Sequence, residues 1–322
     1  MSTTVTVAAP ASQSASQSSL GFSYVFAPAQ IETAMADALD VMGLPIVGLR
    51  GSFEGSGSDV MRVEFVDGIG FELPMTALAS ETDAITPSNA TYGYTTVTLA
   101  QYGLAFQDTY KVQLLARQPA LLVDYLVSTL PKSYVATVRS LVCAAGATFA
   151  SGVGAATTPL SIDDLLDLSA ARRQVAGAKR PTVVLHGLAI SQAIESARQE
   201  PAYQAAANAI AAMAMQEDDT LYPNFLGLGF DVAHTNDVTN TGGGYVGFAC
   251  APGGIGFAGA DPSRIKPAGL NPIKVPNMGL LIEDIPNLAG QSIRQTNARV
   301  FLGVAIGAPE VYFQRKVTSR NT

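Results

Sequence analysis

Between residues 46 and 110 apolar and polar side chains alternate with a period near two. In Val60-Met61-Arg62-Val63-Glu64-Phe65 the apolar Met61, Val63 and Phe65 share one face of a strand, and Arg62 and Glu64 share the other. A Gly/Ser cluster, Gly51 to Ser58, precedes this run, and a turn-rich stretch, Ser80 to Asn89, follows it. The alternation returns as Thr95-Thr96-Val97-Thr98-Leu99, then slips by one position to Tyr102, Leu104 and Phe106. A slip beside Gly103 predicts a β-bulge. The whole stretch reads as a long hairpin. Standing alone it would bury too little to be stable, so it needs a partner surface.

The pattern then changes to helical spacing. Leu121, Leu122, Tyr125, Leu126 and Leu130 are followed by Tyr134, Val138, Leu141, Ala145 and Phe149, with Pro131 between the two sets. A helix of about 28–30 residues, ~45 Å long, is predicted, broken or kinked at the proline. Gly152 to Pro159 reads as a linker, and Ser161-Ile-Asp-Asp164 as a capping box. The helix it opens ends at Arg172 and Arg173, cations suited to a helix C-terminus. A buried strand is predicted over 181–185, and Ala-rich helices over 188–199 and 202–216. Further strands are predicted over 225–232, 245–250, 255–257 and 278–282, with a single long closing strand over 297–317. Gly259 to Pro276 reads as a loop. Near the start, Ile31 to Leu39 has helical spacing ended by Pro45, and residues 1–20 form a Ser/Ala/Gln segment too polar to order itself.

Charge adds direction to this picture. Residues 1–110 hold eleven acids and two bases, Arg50 and Arg62, for a net −9; the remainder holds fifteen acids and seventeen bases, for +2, which sums to −7. Lys111, Arg117, Lys132 and Arg139 lie on or beside the long helix against Asp124 alone. Arg294, Arg299, Arg315, Lys316 and Arg320 lie in the last 33 residues against Glu310 alone, so these two segments carry +7. The acidic hairpin, with Glu54, Asp59 and Glu64, therefore has a complementary basic surface on another copy of the same chain. Ordinary surface charge, or phosphate contacts to nucleic acid, is the plainer reading of those bases. Exposed pairs contribute only ~0–1 kcal/mol each, so charge would set register and apolar contacts the affinity.

Motifs for catalysis are sparse. Gly254-Ile-Gly256-Phe-Ala-Gly259 matches a dinucleotide-binding string, but Ala260-Asp261-Pro262 cannot open the helix that this motif requires. It reads as a Gly-rich turn between strands, and an oxidoreductase is the distant alternative function. Neither His186 nor His234 has a second ligand at metal-binding spacing, so no metal and no cofactor is expected. Asp163, Asp164 and Asp167 suit a helix's first turn. Cys143 and Cys250, with no basic n-region at the start of the chain, point to a reducing compartment. The favoured reading is two buried small hydrophobes, with a disulfide between them as the alternative. No run reaches the ~18 apolar residues of a membrane span, so no membrane partner is expected.

Taken in order, these elements resemble the major capsid proteins of tailed bacteriophages, of the Hong Kong 97-type fold. The resemblance rests on the sequence of arm, acidic hairpin and long helix, and on three stretches. Asp163 to Arg173 looks like the helix opening the family's axial domain. Asn224-Phe-Leu-Gly-Leu-Gly-Phe-Asp-Val-Ala-His-Thr-Asn236 looks like one of its strands, and Ala298-Arg-Val-Phe-Leu-Gly-Val-Ala-Ile-Gly-Ala-Pro-Glu310 like its closing strand. An α+β fold is implied: an N-terminal arm (1–45), an extended β-hairpin loop (46–110), a peripheral domain with a spine helix (111–157), an axial α/β domain (158–272) and C-terminal strands returning to the peripheral domain (273–322). The implied function is non-enzymatic self-assembly, as hexamers and pentamers, into an icosahedral head shell around a phage genome. Packaged DNA would be contacted only non-specifically. The implied location is the virion capsid, assembled in the bacterial host cytoplasm. A scaffolding protein, a portal and a decoration protein are implied partners. An encapsulin-type bacterial compartment is the close alternative. Some members crosslink a loop lysine to a neighbour's asparagine; residues 1–110 hold no lysine, so that chemistry is not expected through this hairpin. About 45 residues precede the hairpin, so a scaffold is expected to be a separate protein or to have been removed earlier.

Overall fold

The computed structural model describes residues 47–52, 60–67, 91–109, 120–174, 180–214, 221–252, 254–260, 270–275, 280–285, 293–307 and 313–321. The Ser/Ala/Gln segment, the helical spacing of Ile31 to Leu39, and residues Glu54, Asp59 and Asp124 (the last by its side chain) lie outside what is described.

One sheet is organised around the long strand β14 (Ile293–Ile306). Along one side runs β4 (Ala100–Thr109), antiparallel, from Leu302↔Ala100 to Ile293↔Thr109. The other side is shared end to end by β13 (Leu280–Ile285) and β11 (Ile255–Gly259). Beyond them lie β12 (Leu270–Val275) on β13, and β1 (Val47–Ser52), parallel to β11. A second sheet is organised around β10 (Gly244–Cys250), between β15 (Gln314–Arg320) and β6 (Thr182–Leu185). It is completed by β5 (Gly152–Val153), β7 (Leu221–Tyr222), β8 (Asp231–His234) and β9 (Thr239–Asn240).

Helix α1 (Ala120–Gly146) joins the two sheets. Its Leu130, Tyr134, Val138 and Val142 recur every fourth residue and are buried. They form one core with Ala298, Val300 and Leu302 of β14 and with Phe248 and Cys250 of β10. At the helix end a Cβ on Gly146 would lie 2.2 Å from the Phe248 ring, and Phe149 meets the same ring edge-on at 5.9 Å. Pro131 does not end the helix. A proline inside a helix costs ~3 kcal/mol, whereas each large apolar side chain buried along α1 contributes ~1.5–3 kcal/mol. Burial of the stripe outweighs the lost backbone bond.

The second core lies between the β10 sheet and helices α2 (Ile162–Arg173), α3 (Gly187–Gln199) and α4 (Gln204–Ala214). The predicted capping box is present. Asp164 N–H donates to Ser161 Oγ at 3.2 Å, and Ser161 N–H donates to Asp164 Oδ2 at 2.9 Å.

Five expectations are corrected. β4 pairs with β14 in unbroken register, so there is no bulge at Gly103. The phase slips instead at Leu99, where the chain leaves β3 (Thr91–Thr98) for β4 in a different sheet. The predicted strand over 225–232 is a 3-10 turn, Phe225–Gly227, followed by β8 alone. Asn224, Leu226, Gly227 and Gly229 all have positive φ there, and glycine makes two of those four conformations cheap. Gly254 to Gly259 is no turn; it is mostly strand β11. The loop read over Gly259 to Pro276 contains strand β12. The single closing strand is two, β14 and β15, in separate sheets.

Candidate assembly surfaces

Strands β2 (Val60–Asp67) and β3 form a two-stranded sheet of their own, in register from Val60↔Thr98 to Asp67↔Thr91. Among the described residues no third strand pairs with them. Met61, Val63 and Phe65 stand opposite Val97, Thr95 and Gly93, and Glu64 opposite Tyr94. Among the described side chains, those at the foot of β3 are tied down. Val97 is fully buried with Ala305, beside Leu99 and Ala260. A Cβ on Gly303 would come within 2.4 Å of its Cγ1, so β14 is bare there to let the hairpin foot approach. Val60, opposite Thr98 at the foot of the other strand, is 42% exposed.

The basic residues fall on three elements. Lys132 is exposed on α1. Arg139, also on α1, forms an ion pair with Asp237, which follows β8. Arg294 stands opposite Asp108 in the β14–β4 register. Arg299 Nε lies 3.3 Å from Glu283 Oε2, in an ion pair misaligned for a hydrogen bond, and Glu283 is buried. Arg315 sits with its guanidinium 5.4 Å from the Phe313 ring and donates to Gln314 O at 3.0 Å. Lys316 is half-buried on β15, opposite Phe248. α1 and β14 pack together, whereas β15 belongs to the other sheet. Arg139 and Arg299 thus answer acids within the chain. Neither acid could be assigned from sequence, because Asp237 is 98 residues from Arg139 and pairs only through the fold.

Residues weighed for chemistry take structural places. Cys143 and Cys250 are both buried in the core and are not joined in a disulfide. Burial first, and the Asp237 carboxylate next, push the Cys143 thiol up to about 12, against an opposing pull from Arg139. Burial also raises Tyr134 above the usual phenol range, and its hydroxyl finds no hydrogen-bond partner. Among the described residues no group of three potential metal ligands converges, and no helix is long and apolar enough to cross a membrane.

A long helix spanning two sheets, a hairpin standing off the first and an α/β unit built on the second define the Hong Kong 97-type fold of phage capsid proteins. Solved structures share it over most of their length. The cyanophage Pam1 capsid superposes with a TM-score of 0.53 at 9% identity, covering 86% of this chain and 92% of that one. The head of Helicobacter pylori bacteriophage KHP40 gives 0.53 at 11% identity, covering 85% and 88%. The capsid of an empty GTA particle gives 0.51 at 10% identity, covering 87% and 90%. At such identities the likeness is one of fold. No protein-family model matches the sequence. No curated protein sequence matches it either.

Proposed function

We propose that this chain is a major capsid protein, a non-enzymatic subunit that self-assembles as hexamers and pentamers into the icosahedral head shell around a tailed-phage genome. The observation that carries the reading is the coverage. Solved phage capsid and head structures match 85–86% of this chain over 88–92% of their own length. The hairpin supports it, since a two-stranded sheet with no third strand among the described residues is not stable alone.

In this reading the hairpin of one copy lies over α1 and the closing strands of the next. Met61, Val63 and Phe65 supply apolar contact, and Glu54, Asp59 and Glu64 face Lys132, Arg294 and Lys316. Arg139, Arg299 and Arg315 frame that surface while serving their own chain. Interfaces of ~1,600 Å² or more are expected. Packaged DNA is touched only non-specifically. Scaffolding, portal and decoration proteins complete a virion assembled in the bacterial cytoplasm. Size-exclusion chromatography and negative-stain microscopy of the purified full chain test the proposal. Rings or closed shells are expected; a 33.4 kDa monomer at high concentration would refute it.

A further inference from the structure

The two histidines, 48 positions apart in sequence, meet in the fold. β6 and β8 are parallel neighbours with Leu185 opposite His234, so His186 and His234 emerge together at the same end of the sheet. His186 is the N-cap of α3, and its Nδ1 accepts from Leu188 N–H at 3.1 Å. Its ring lies flat on Tyr245 of β10, centroids 3.8 Å apart and planes 7° apart. His234 flanks the first helical residue: a Cβ on Gly187 would stand 2.9 Å from its Nε2. That nitrogen is 3.2 Å from Asn236 Oδ1.

We propose that this pair is an acid-sensitive latch on the first turn of α3, closed by the neutral imidazole cap and opened when His186 takes a proton. Nδ1 can accept from Leu188 only while it is unprotonated. A proton there ends the cap and leaves the Leu188 amide without its acceptor. It also places a cation at the positive end of a 13-residue helix, beside a second imidazole. The flat stack on Tyr245 tolerates a cation, so the penalty falls on the cap and on the helix end.

Among the described residues no carboxylate of the packed elements relieves it. Asp237, beyond β8, is held by Arg139. α2 meets α3 two turns further on, where Leu160 N–H and Ile162 N–H donate to Gln192 and Ser196, and Asp164 serves its own cap. α4 meets it near the far end, through Arg198 and Asn208. Burial first, then His234, hold His186 below the ordinary imidazole value of 6.5. A depressed folded value means stability that is present above pH 6.5 and lost as pH falls through the lower value.

Hydrogen exchange of the purified full chain across pH 7.5 to 5, corrected for intrinsic rate, tests this. Leu188 and Ile190, whose amides donate to His186 Nδ1 and His186 O, should lose protection as pH drops below 6.5, while the α1 amides keep theirs. His186→Asn retains a capping acceptor that does not titrate, and its α3 protection should be flat with pH. Unchanged wild-type protection, or the same loss in H186N, would overturn the proposal. Should H186N fail to fold, the wild-type His186 ring resonance still decides. Titration below 6.5 supports the latch, and titration at or above it refutes it.

Discussion

Ser161 closes the first turn of α2 with two reciprocal hydrogen bonds to Asp164, three positions on in sequence. Replacing it with alanine should lower stability by about 1 kcal/mol in denaturant unfolding of the unassembled subunit. Restoring the acceptor with Ser161→Asp should recover most of that. Cys143 offers a second check. With its thiol pushed up to about 12 by burial, it should resist a thiol reagent at pH 8 and react fully only in denaturant. Fast labelling of the native protein would contradict the core placed around α1. Residues of this kind were legible to the degree that their partners were local. The capping box lies within four positions, so its chemistry could be read directly. The Arg139–Asp237 and Arg299–Glu283 pairs could not, nor could the positive φ of Leu226, in a turn where Gly229 N–H donates to Asn224 Oδ1.

Elements with one strong period were the most legible. α1 declared itself through a four-residue apolar repeat, and burial carried it through Pro131. Other strands declared less. β12 hides in a Pro- and Gly-containing stretch, and β14 and β15 read as one although Gly307 and Pro309 lie between them. The change of phase near Leu99 was visible, but a bulge and a move between sheets leave the same one-residue slip. In the proposed function the hairpin is the element that makes the contact between copies. Reversing Glu54, Asp59 and Glu64 to lysine should leave the far-ultraviolet circular dichroism and melting of the subunit unchanged while reducing particle yield, most strongly at low ionic strength. Normal particle yield from this triple variant at low salt would remove charge from the account. Gly303→Val should act at the hairpin's foot, since its side chain would collide with Val97 and the Thr98 carbonyl. Limited proteolysis should then cut between β2 and β3 sooner than in the wild type.

At the scale of the whole molecule, the net −9 of the first 110 residues and the +7 of two later segments first suggested one copy lying on another. The fold sharpens that arithmetic. Arg139 and Arg299 answer acids of their own chain, and Arg315 packs on Phe313, so the proposed contact with a neighbour's hairpin draws less on these three cations. Fewer pairs across the contact mean that apolar burial must supply most of its affinity. The measurement that tests this most directly is cryo-electron microscopy of particles formed by the full chain. The account predicts a closed shell in which the β2–β3 hairpin of each subunit crosses α1 and β14 of the next. A chain that stays monomeric, or a shell whose hairpins fold back on their own subunits, would contradict it.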